Sequence, residues 1–341
     1  MSTQPHPYKA ELTQIALAIE GQQKTEVVPT RYPGFLSGDQ DMTDPEIDWQ
    51  EGRYVGADRD PHDHTEGQHS FDGGSWTIHP YDGFPIAWAM GSETVTVDDP
   101  EAGLTTHTIE RLHDGAPPTA TVEGAFFGRG SQEDLVNGFL GVYPDTATIQ
   151  QDNEGKLEVT TDLIGLGLTP DTQDGTRSAV DVSLPDRQPW RFSKVDSNLE
   201  LAFGAGAQSF ARVIDFSLEI ANNATAEHYI EESEGNEPYE LLYGNGGYSL
   251  EVEIAVTDNS IYQEMADPTQ GGFDTSITFV KDSNETLEIR STGCRMEGAP
   301  HGVPEEGKIE VPITILPRQT TITVVDSESD GTGYLEAGTP A

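Results

Sequence analysis

The chain has 341 residues, with 18 Lys and Arg against 60 Asp and Glu, which gives a formal charge of -42 at pH 7. This length allows two domains that each bury a core. The charge excludes tight wrapping of nucleic acid, because no basic stripe is present to displace counterions from phosphates. It favours a halophilic protein, since in molar salt the Debye length falls to about 3 Å and surface charges barely repel one another.

Three absences narrow the class further. A single cysteine, Cys294, excludes an internal disulfide framework and a multi-cysteine zinc site. Residues 1–8 lack the basic and apolar regions of a secretory signal, and no stretch has the roughly 20 apolar residues of a membrane span. We therefore expect a soluble protein that is made in a cytoplasm and has no membrane partner.

The first half of the chain is predicted to be an arm followed by a β unit. Residues 1–37 form the arm, which has too few apolar residues for its own core and is expected to dock on a neighbour. Residues 38–168 form the first repeat, with a short helix at 85–90 that Gly91 ends. Its predicted strands are 47–55, 75–79, 94–97, 106–112, 119–127, 139–150 and 156–164.

A loop predicted at 56–68 is rich in carboxylates and imidazoles. Such a density could hold a divalent cation, although an exposed loop of an acidic protein collects these residues by composition alone. The weak candidate ligands are Asp60, His62, Asp63, His64, Glu66 and His69. The Asp-rich segment 39–44 does not have the EF-hand pattern, because Gln50 stands where a bidentate Glu is required.

The second half contains a linker at 169–187, a second repeat at 188–326 and a flexible tail at 327–341. Phe216, Leu218 and Ile220 alternate with polar residues, which indicates an antiparallel sheet with one buried and one wet face. A short helix is predicted at 260–266, ended by Pro268. The remaining strands are predicted at 250–256, 276–280, 286–296, 309–316 and 320–325.

Three short matches occur in the same order in both halves and indicate a duplicated β unit. They are Ile47-Asp48-Trp49 with Ile214-Asp215-Phe216, Gly73-Gly74 with Gly246-Gly247, and the run at 154–159 with the run at 306–311. In the last pair, Glu-Gly-Lys is followed by an aliphatic residue, Glu and Val in both runs. The fold class is therefore predicted as mainly β, with two tandem β-sandwich or tube-type domains that each carry one short α-helix.

No enzyme signature accompanies this architecture. The G-x-S-x-G elbow, the phosphate loop, the H-E-x-x-H helix and the Rossmann fingerprint are all absent from the sequence. Cys294 has no neighbouring His and is predicted to be an inert thiol. We therefore predict a protein that is not an enzyme and has no cofactor, while bound cations stay open.

The segments 210–223, 246–252, 258–262 and 309–313 resemble the tail tube proteins of long-tailed, siphovirus-like viruses, in particular those whose subunits carry the tube fold twice. The resemblance is clearest over 190–326 and fainter over 45–168. The acidic composition would suit a virus of a halophilic archaeon. The resemblance implies a structural protein of the virion tail, made in the host cytoplasm.

The resemblance also implies the partners. Copies would assemble into rings that stack into the tail tube, meet other tail proteins at the tube ends, and let DNA pass during ejection without binding it specifically. Two tube folds in one chain imply a pseudo-sixfold ring of three copies, with a homohexamer as the alternative. An acidic lumen would repel DNA phosphates, and Glu219, Glu251 and Glu253 are the candidates for the lumen face. The roles of the loops 56–68 and 98–118 are left open.

Two other classes compete with this interpretation. A surface or adhesin-type β-sandwich would have the same strand pattern, but the expected signal peptide is missing. A carbohydrate-active enzyme could use any of the many carboxylates, but none of them stands out from the background.

Overall fold

Nearly all of the secondary structure is β-strand. The computed structural model describes residues 13–33, 40–52, 63–99, 103–128, 134–152, 155–170, 179–180, 188–190, 198–203, 206–210, 213–229, 236–255, 259–282, 284–300, 310–327 and 331–339. The strands of the first half are β1 (Thr13–Ile19), β2 (Asp44–Gly52), β3 (Asp63–Ile78), β4 (Gly91–Asp99), β5 (Leu104–Arg111), β6 (Ala120–Phe126), β7 (Leu135–Asp152), β8 (Glu158–Ile164) and β9 (Gly167–Thr169). Those of the second half are β10 (Asn198–Phe203), β11 (Gly206–Phe210), β12 (Val213–Ala221), β13 (Ala224–Glu227), β14 (Glu240–Tyr243), β15 (Gly247–Ala255), β16 (Phe273–Asp282), β17 (Glu285–Gly298), β18 (Glu310–Leu316) and β19 (Gln319–Asp326).

One long antiparallel sheet runs through both halves. Its strand order is β2-β3-β8-β7-β12-β15-β18-β17. A second sheet has the order β11-β10-β16-β17-β19-β5-β4, and a third has the order β1-β6-β7-β9. The long strands β7 and β17 each belong to two sheets, so they join the layers of the sandwich.

The strands of the long sheet follow the alternation that the sequence predicts. In the central parts of β12 and β15 the apolar residues are buried and the residues between them are wholly or partly exposed; the buried residues are Phe216, Leu218, Ile220, Leu250, Val252 and Ile254. Opposite faces of a strand alternate with a period of two, so the apolar set packs between the layers and the polar set lies on the outside. The mainly β fold class is confirmed.

The two halves use the same strand pairings. In the first, β1 pairs with β6, β6 with β7, β7 with β8 and β9, β8 with β3, and β3 with β2. In the second, these roles fall to β10, β16, β17, β18, β19, β15 and β12. The two halves therefore share one pattern of strand pairing. We refer to them as the first and second repeat, and we call residues at the same pairing position counterparts.

The two repeats agree in strand register as well as in topology. Leu140 pairs with Gly167, and their counterparts Thr292 and Gln319 pair at the same separation along the chain. The ladders of β7 with β8 and of β17 with β18 are both interrupted by a bulge, at Pro144/Thr146 and at Met296/Gly298. A bulge conserved in position indicates that it belongs to the fold rather than to one local sequence.

A glycine with positive φ marks each of the two long strands. Gly141 has φ 65° in β7 and its counterpart Gly293 has φ 62° in β17. Both lie beside a register shift, between Ala120 and Val122 on β6 and between Phe273 and Thr275 on β16. The left-handed backbone at these points lets each strand turn from one sheet into the next, which a residue with Cβ would strain.

Two short helices occupy corresponding places. Helix α1 (Phe84–Met90) follows β3, and helix α2 (Ser260–Ala266) follows β15, each beginning six residues after the counterparts Ile78 and Ile254. Both helices agree with the sequence prediction. Every residue of α1 is buried, whereas α2 buries Ile261 and Glu264 and exposes Met265. None of the helices in the described part of the chain is long and apolar enough to cross a membrane.

The structure corrects two of the three sequence matches. Val159 and Val311, the last residues of the two matching runs, pair with Ile78 and Ile254 and are therefore counterparts, while 306–309 of the second run lie outside the described residues. The glycine pairs and the Ile-Asp-aromatic triplets lie on corresponding strands but not at corresponding positions. Gly247 is opposite Ala221, which makes it the counterpart of Ser70 rather than of Gly74. Short matches in a composition rich in Gly and Asp do not fix a register.

Two predicted loops contain strand. The loop at 56–68 is wrong from Asp63 onward, because β3 begins there and pairs with β2 in a long exposed hairpin. The segment 98–118 includes the strand predicted at 106–112, which the structure shows as β5, paired with β19 in the second sheet. The sequence concealed the first strand because its polar residues are solvated on both faces, so no alternation is visible.

The predicted arm and tail are both packed on the repeats. In the arm, β1 is an edge strand of the third sheet that pairs with β6, and its last four residues are buried. The expectation of a flexible tail is wrong for 331–339, where Tyr334 is buried, stacks on His107 at 4.0 Å and donates a hydrogen bond to Asp326 Oδ2 at 3.0 Å. Of the predicted linker, most of 169–187 lies outside the described residues, while Val180 N–H donates to Glu123 Oε1 at 2.8 Å.

Candidate assembly surface

The junction between the two repeats is made by strand pairing. In the long sheet, β7 of the first repeat pairs with β12 of the second over seven residues, from Asp152 opposite Asp215 to Thr146 opposite Ala221. In the second sheet, β5 of the first repeat pairs with β19 of the second. The repeats are thus joined by backbone ladders in two layers.

Side chains complete this junction at the end of β12. Asn222 is buried and donates from its amide nitrogen to Ala89 O of α1 and Pro144 O of β7, at 2.8 and 2.9 Å. Arg111 of β5 donates to Ala221 O and Gly247 O, at 3.1 and 2.8 Å. These hydrogen bonds join the second repeat to α1, β5 and β7 of the first repeat and so help to hold the two repeats in position.

The long sheet has an open edge at each end. Among the described residues, β2 pairs only with β3, and the last residues of β17 pair in this sheet only with β18. β2 is the counterpart of β12. On the other side, Gly298, the last residue of β17, is the counterpart of Thr146, where β7 meets the end of β12, and the counterparts of residues 147–152 of β7 lie beyond β17. The open edge at β2 and the open end of β17 therefore correspond to the two sides of the junction that is closed within the chain.

Hydrogen bonds show which backbone groups of β2 face outward. His69 N–H donates to Asn236 O at 2.8 Å, and His69 O accepts from His228 Nε2 at 2.8 Å. Both groups of His69 therefore point away from β2, although His69 lies opposite Ile47. In an antiparallel ladder, the residue opposite such a position also directs its N–H and C=O away, so those of Ile47 face the open edge.

The polar face of the long sheet is acidic. The five central strands, β8, β7, β12, β15 and β18, contain no Lys or Arg. The three predicted lumen candidates all lie on this face, since Glu219, Glu251 and Glu253 alternate with the buried residues of β12 and β15. Hydroxyl side chains fill many of the remaining positions, as where Thr146 Oγ1 donates to Asp162 Oδ2 at 2.6 Å.

Glu253 differs from the other two glutamates in its surroundings. It lies directly opposite Asp215, whereas Glu219 lies between Ser249 and Thr148. Burial, together with the charges of Asp215 and Glu310, raises the pKa of Glu253 above its usual range. Like charges in directly opposed strand positions destabilise a sheet. At neutral pH the ionised Glu253 therefore works against the folded state.

We expect Glu253→Gln to stabilise the protein by about 0.2–1 kcal/mol at neutral pH and low ionic strength. The gain should shrink in molar salt, which screens the repulsion, and should shrink as the pH falls through the raised pKa of Glu253, because the wild-type carboxyl then becomes neutral. Denaturant unfolding at low and molar salt measures the first effect, and the same measurement over a pH series measures the second. Glu219→Gln is the matched control and should change the unfolding free energy less, so equal gains from the two variants would contradict this account.

Glu20 is a site residue that the sequence does not indicate. Its buried carboxylate accepts four hydrogen bonds, from Thr119 Oγ1 at 2.6 Å, Thr121 Oγ1 at 3.0 Å, Gly141 N–H at 2.9 Å and Lys24 N–H at 2.8 Å. Burial raises its pKa, and the hydrogen bonds lower it in part. In the second repeat, the N–H of the bulge glycine Gly293 donates a hydrogen bond to Asp274 Oδ1 at 3.3 Å. In each repeat a carboxylate therefore accepts a hydrogen bond from the bulge glycine, although the two carboxylates come from different sequence positions.

The proposed metal candidates are only partly placed. Asp60 and His62 lie outside the described residues. Asp63, His64, Glu66 and His69 lie along β3, where His69 Nε2 contacts Glu66 Oε1 at 2.6 Å. Within the described part of the chain, no group of three or more His, Cys, Asp or Glu side chains is arranged to hold a metal ion. Cys294 is buried in β17, and burial raises the pKa of its thiol to about 12, so the reactive thiolate is scarce at neutral pH.

The fold and its edges define a class: a two-layer antiparallel β protein in which one β unit is used twice and joined edge to edge. The chain belongs to the phage tail tube protein family, whose model matches residues 11–316. A comparison with curated protein sequences found no match. As a member of this family, the protein is a structural component of the virion tail.

Proposed function

We propose that three copies of this chain close into a pseudo-sixfold ring, and that such rings stack into the tube through which genomic DNA passes during ejection. The observation that carries the proposal is the pairing of β7 with β12. This contact joins one repeat to the next within a chain. The long sheet ends on one side at β2, the counterpart of β12, and on the other at β17, whose last residue Gly298 is the counterpart of Thr146 on β7. Repeating one contact around an axis closes a ring without leaving an open edge.

In this ring the long sheet lines the lumen. The side chains that then face the DNA are hydroxyl groups and the carboxylates of Glu219, Glu251 and Glu253. The five central strands carry no basic side chain. Fixed negative charge repels the phosphate backbone, so the DNA slides past the wall instead of binding to it. The proposal needs no cofactor and no metal.

The composition supports a setting in concentrated salt. We infer that the protein comes from a siphovirus-like virus of a halophilic archaeon and is made in the host cytoplasm. A charge of -42 on each copy would oppose the meeting of copies in dilute buffer. Concentrated salt shortens the Debye length and removes most of this repulsion, so we expect the copies to assemble at high salt.

Electron microscopy of the purified chain at molar salt tests the proposal. We expect rings or tubes of uniform width, and a native mass for the smallest closed species that is three times the chain mass. A mass of six chains would contradict the trimer and support the homohexamer. In a homohexamer, the two repeats do not alternate around a single pseudo-sixfold ring. A chain that stays monomeric at every salt and protein concentration would overturn the ring itself.

A further inference from the structure

The described structure exposes apolar residues at both open edges of the long sheet. On the β2 side, Ile47 is 41% and Trp49 is 54% exposed. On the opposite side, Met265 of α2 is 38% and Leu316 of β18 is 41% exposed. These large apolar side chains are exposed at two separate edges of a very acidic protein. Such exposure indicates a surface that binds a partner.

The strand registers identify the counterpart of each residue on the β2 side. Asp72 pairs with Ile164 in β8 and with Asp44 in β2. Continuing the β15–β18 ladder by one residue places Ser249 opposite Leu316, which is the counterpart of Ile164. Ser249 is therefore the counterpart of Asp72.

The same register extends across β12. Ser249 pairs with Glu219, so Glu219 is the counterpart of Asp44. Counting forward from these two positions by three and by five residues makes Asn222 the counterpart of Ile47, and Ala224 the counterpart of Trp49.

The counterparts on the opposite side follow in the same way. Because α1 and α2 begin at the same distance from Ile78 and Ile254, Met265 is the counterpart of Ala89. The bulge at Pro144 and Met296 makes these two residues counterparts. Ala89 is fully buried and Ile164 is only 8% exposed. The positions that are exposed in the second repeat are therefore covered in the first.

The second repeat provides that cover. Asn222 binds the carbonyl groups of Ala89 and Pro144. β13, which begins at Ala224, packs against β8. The end of β12 lies next to Thr146, which pairs with Asp162, so β13 meets β8 at the end that carries Ile164.

We propose that a second copy of this chain covers the exposed residues in the same arrangement, with Trp49 of one copy packing on Leu316 of the next, and Ile47 on Met265 and Met296. This inference rests on the proposed ring and specifies its closing contact. The polar contact that Asn222 makes within the chain becomes an apolar contact between copies. Burial of apolar surface is not screened by salt, so this contact can hold highly acidic copies together in the medium that suppresses their repulsion.

A thiol cross-link between copies tests the contact directly. Trp49→Cys combined with Leu316→Cys should give covalent species of two and three chains in assembled protein at molar salt, using a short bifunctional maleimide. The series should stop at three chains, because a closed ring has no free end. The native Cys294 is buried and should contribute no product, which the unsubstituted chain checks.

The matched control uses a thiol at an exposed position away from both edges. Val97 is 47% exposed on β4, and Trp49→Cys with Val97→Cys should yield no cross-linked series within a ring. If rings form in the microscope but the Trp49 and Leu316 thiols do not cross-link, the contact is wrong and the ring survives. If the unsubstituted chain also forms no rings at molar salt, the ring proposal fails as well. A cross-linked series that continues beyond three chains would show an open or larger assembly and would overturn the three-copy contact.

Discussion

Replacing Ile47 by Pro should leave the subunit folded and prevent it from joining a second copy. The N–H of Ile47 faces the open edge, so Pro removes no hydrogen bond between β2 and β3. Its counterpart Asn222 donates its backbone N–H to Asp145 O at 2.8 Å in the junction within the chain. A proline at Ile47 cannot make the equivalent bond, and its ring would press against the incoming strand. We expect rings and tubes to be lost under conditions in which the wild type assembles.

The control for this result is Ile47→Val, which keeps the N–H, the branched side chain and most of the apolar surface. It should assemble like the wild type. Circular dichroism and the unfolding midpoint of the monomeric Pro variant should match those of the dissociated wild type, which separates an assembly defect from misfolding. Rings formed equally well by the Pro and Val variants would show that β2 is not an assembly edge.

Replacing Glu20 by Ala should destabilise the fold by more than about 3 kcal/mol. Two hydroxyls and two backbone N–H groups lose their common acceptor inside the protein, and each buried donor without a partner costs about 1–3 kcal/mol. One of these donors is Gly141 N–H at the bulge, so the damage reaches the point where β7 turns from the third sheet into the long sheet.

Denaturant unfolding in the Ile47→Pro background measures this loss without a contribution from assembly, which would otherwise add to the apparent stability. Glu219→Ala, which removes an exposed carboxylate from the polar face, is the control and should cost little. Glu20→Gln should fall between the two, because the amide keeps one acceptor oxygen. An unfolding free energy for Glu20→Ala within about 0.5 kcal/mol of the control, the usual range of surface changes, would mean that the four hydrogen bonds are dispensable.

The pH dependence of this difference has a definite sign. Burial raises the pKa of Glu20, so the folded state binds a proton more readily than the unfolded state. The wild type should therefore gain stability relative to Glu20→Gln as the pH falls from neutral through the raised pKa, and lose it as the pH rises again. A difference that moves in the opposite direction would show that the hydrogen bonds outweigh burial at this site.

The repeat structure was partly visible in the sequence. Val159 and Val311, which end the two Glu-Gly-Lys runs, are counterparts in the structure, because a match of six contiguous positions is long enough to fix a register. The glycine pairs and the Ile-Asp-aromatic triplets misled, since a match of two or three common residues carries no register. The strand prediction at 47–55 overlaps β2, but the first part of β3 was missed because its residues are polar on both faces, so the period-two pattern that reveals a half-buried strand is absent.

The candidate site divides in the same way. The position of Glu219, Glu251 and Glu253 on the polar face was predictable, because they alternate with apolar residues on strands whose buried face is obvious. Glu20 was not, because its four donors come from distant parts of the chain and leave no local signature. The significance of Ile47 and Trp49 also needed the structure, since only the pairing of β7 with β12 shows what covers their counterparts.

The sequence by itself determined the strand-rich composition, the two short helices, the acidic polar face and the presence of two related units, because each of these depends on composition or on spacing along the chain. The tertiary structure decided how the units meet: the register of the repeats, the carboxylates that hold the two bulges, the packing of the C-terminal segment, and the pair of open edges. These features depend on contacts between residues far apart in sequence, whose energies arise only once the sheets have formed. The proposed interface between copies is also a feature that only the tertiary structure decides, because a strand is an open edge only if no other strand of the folded sheet pairs with it.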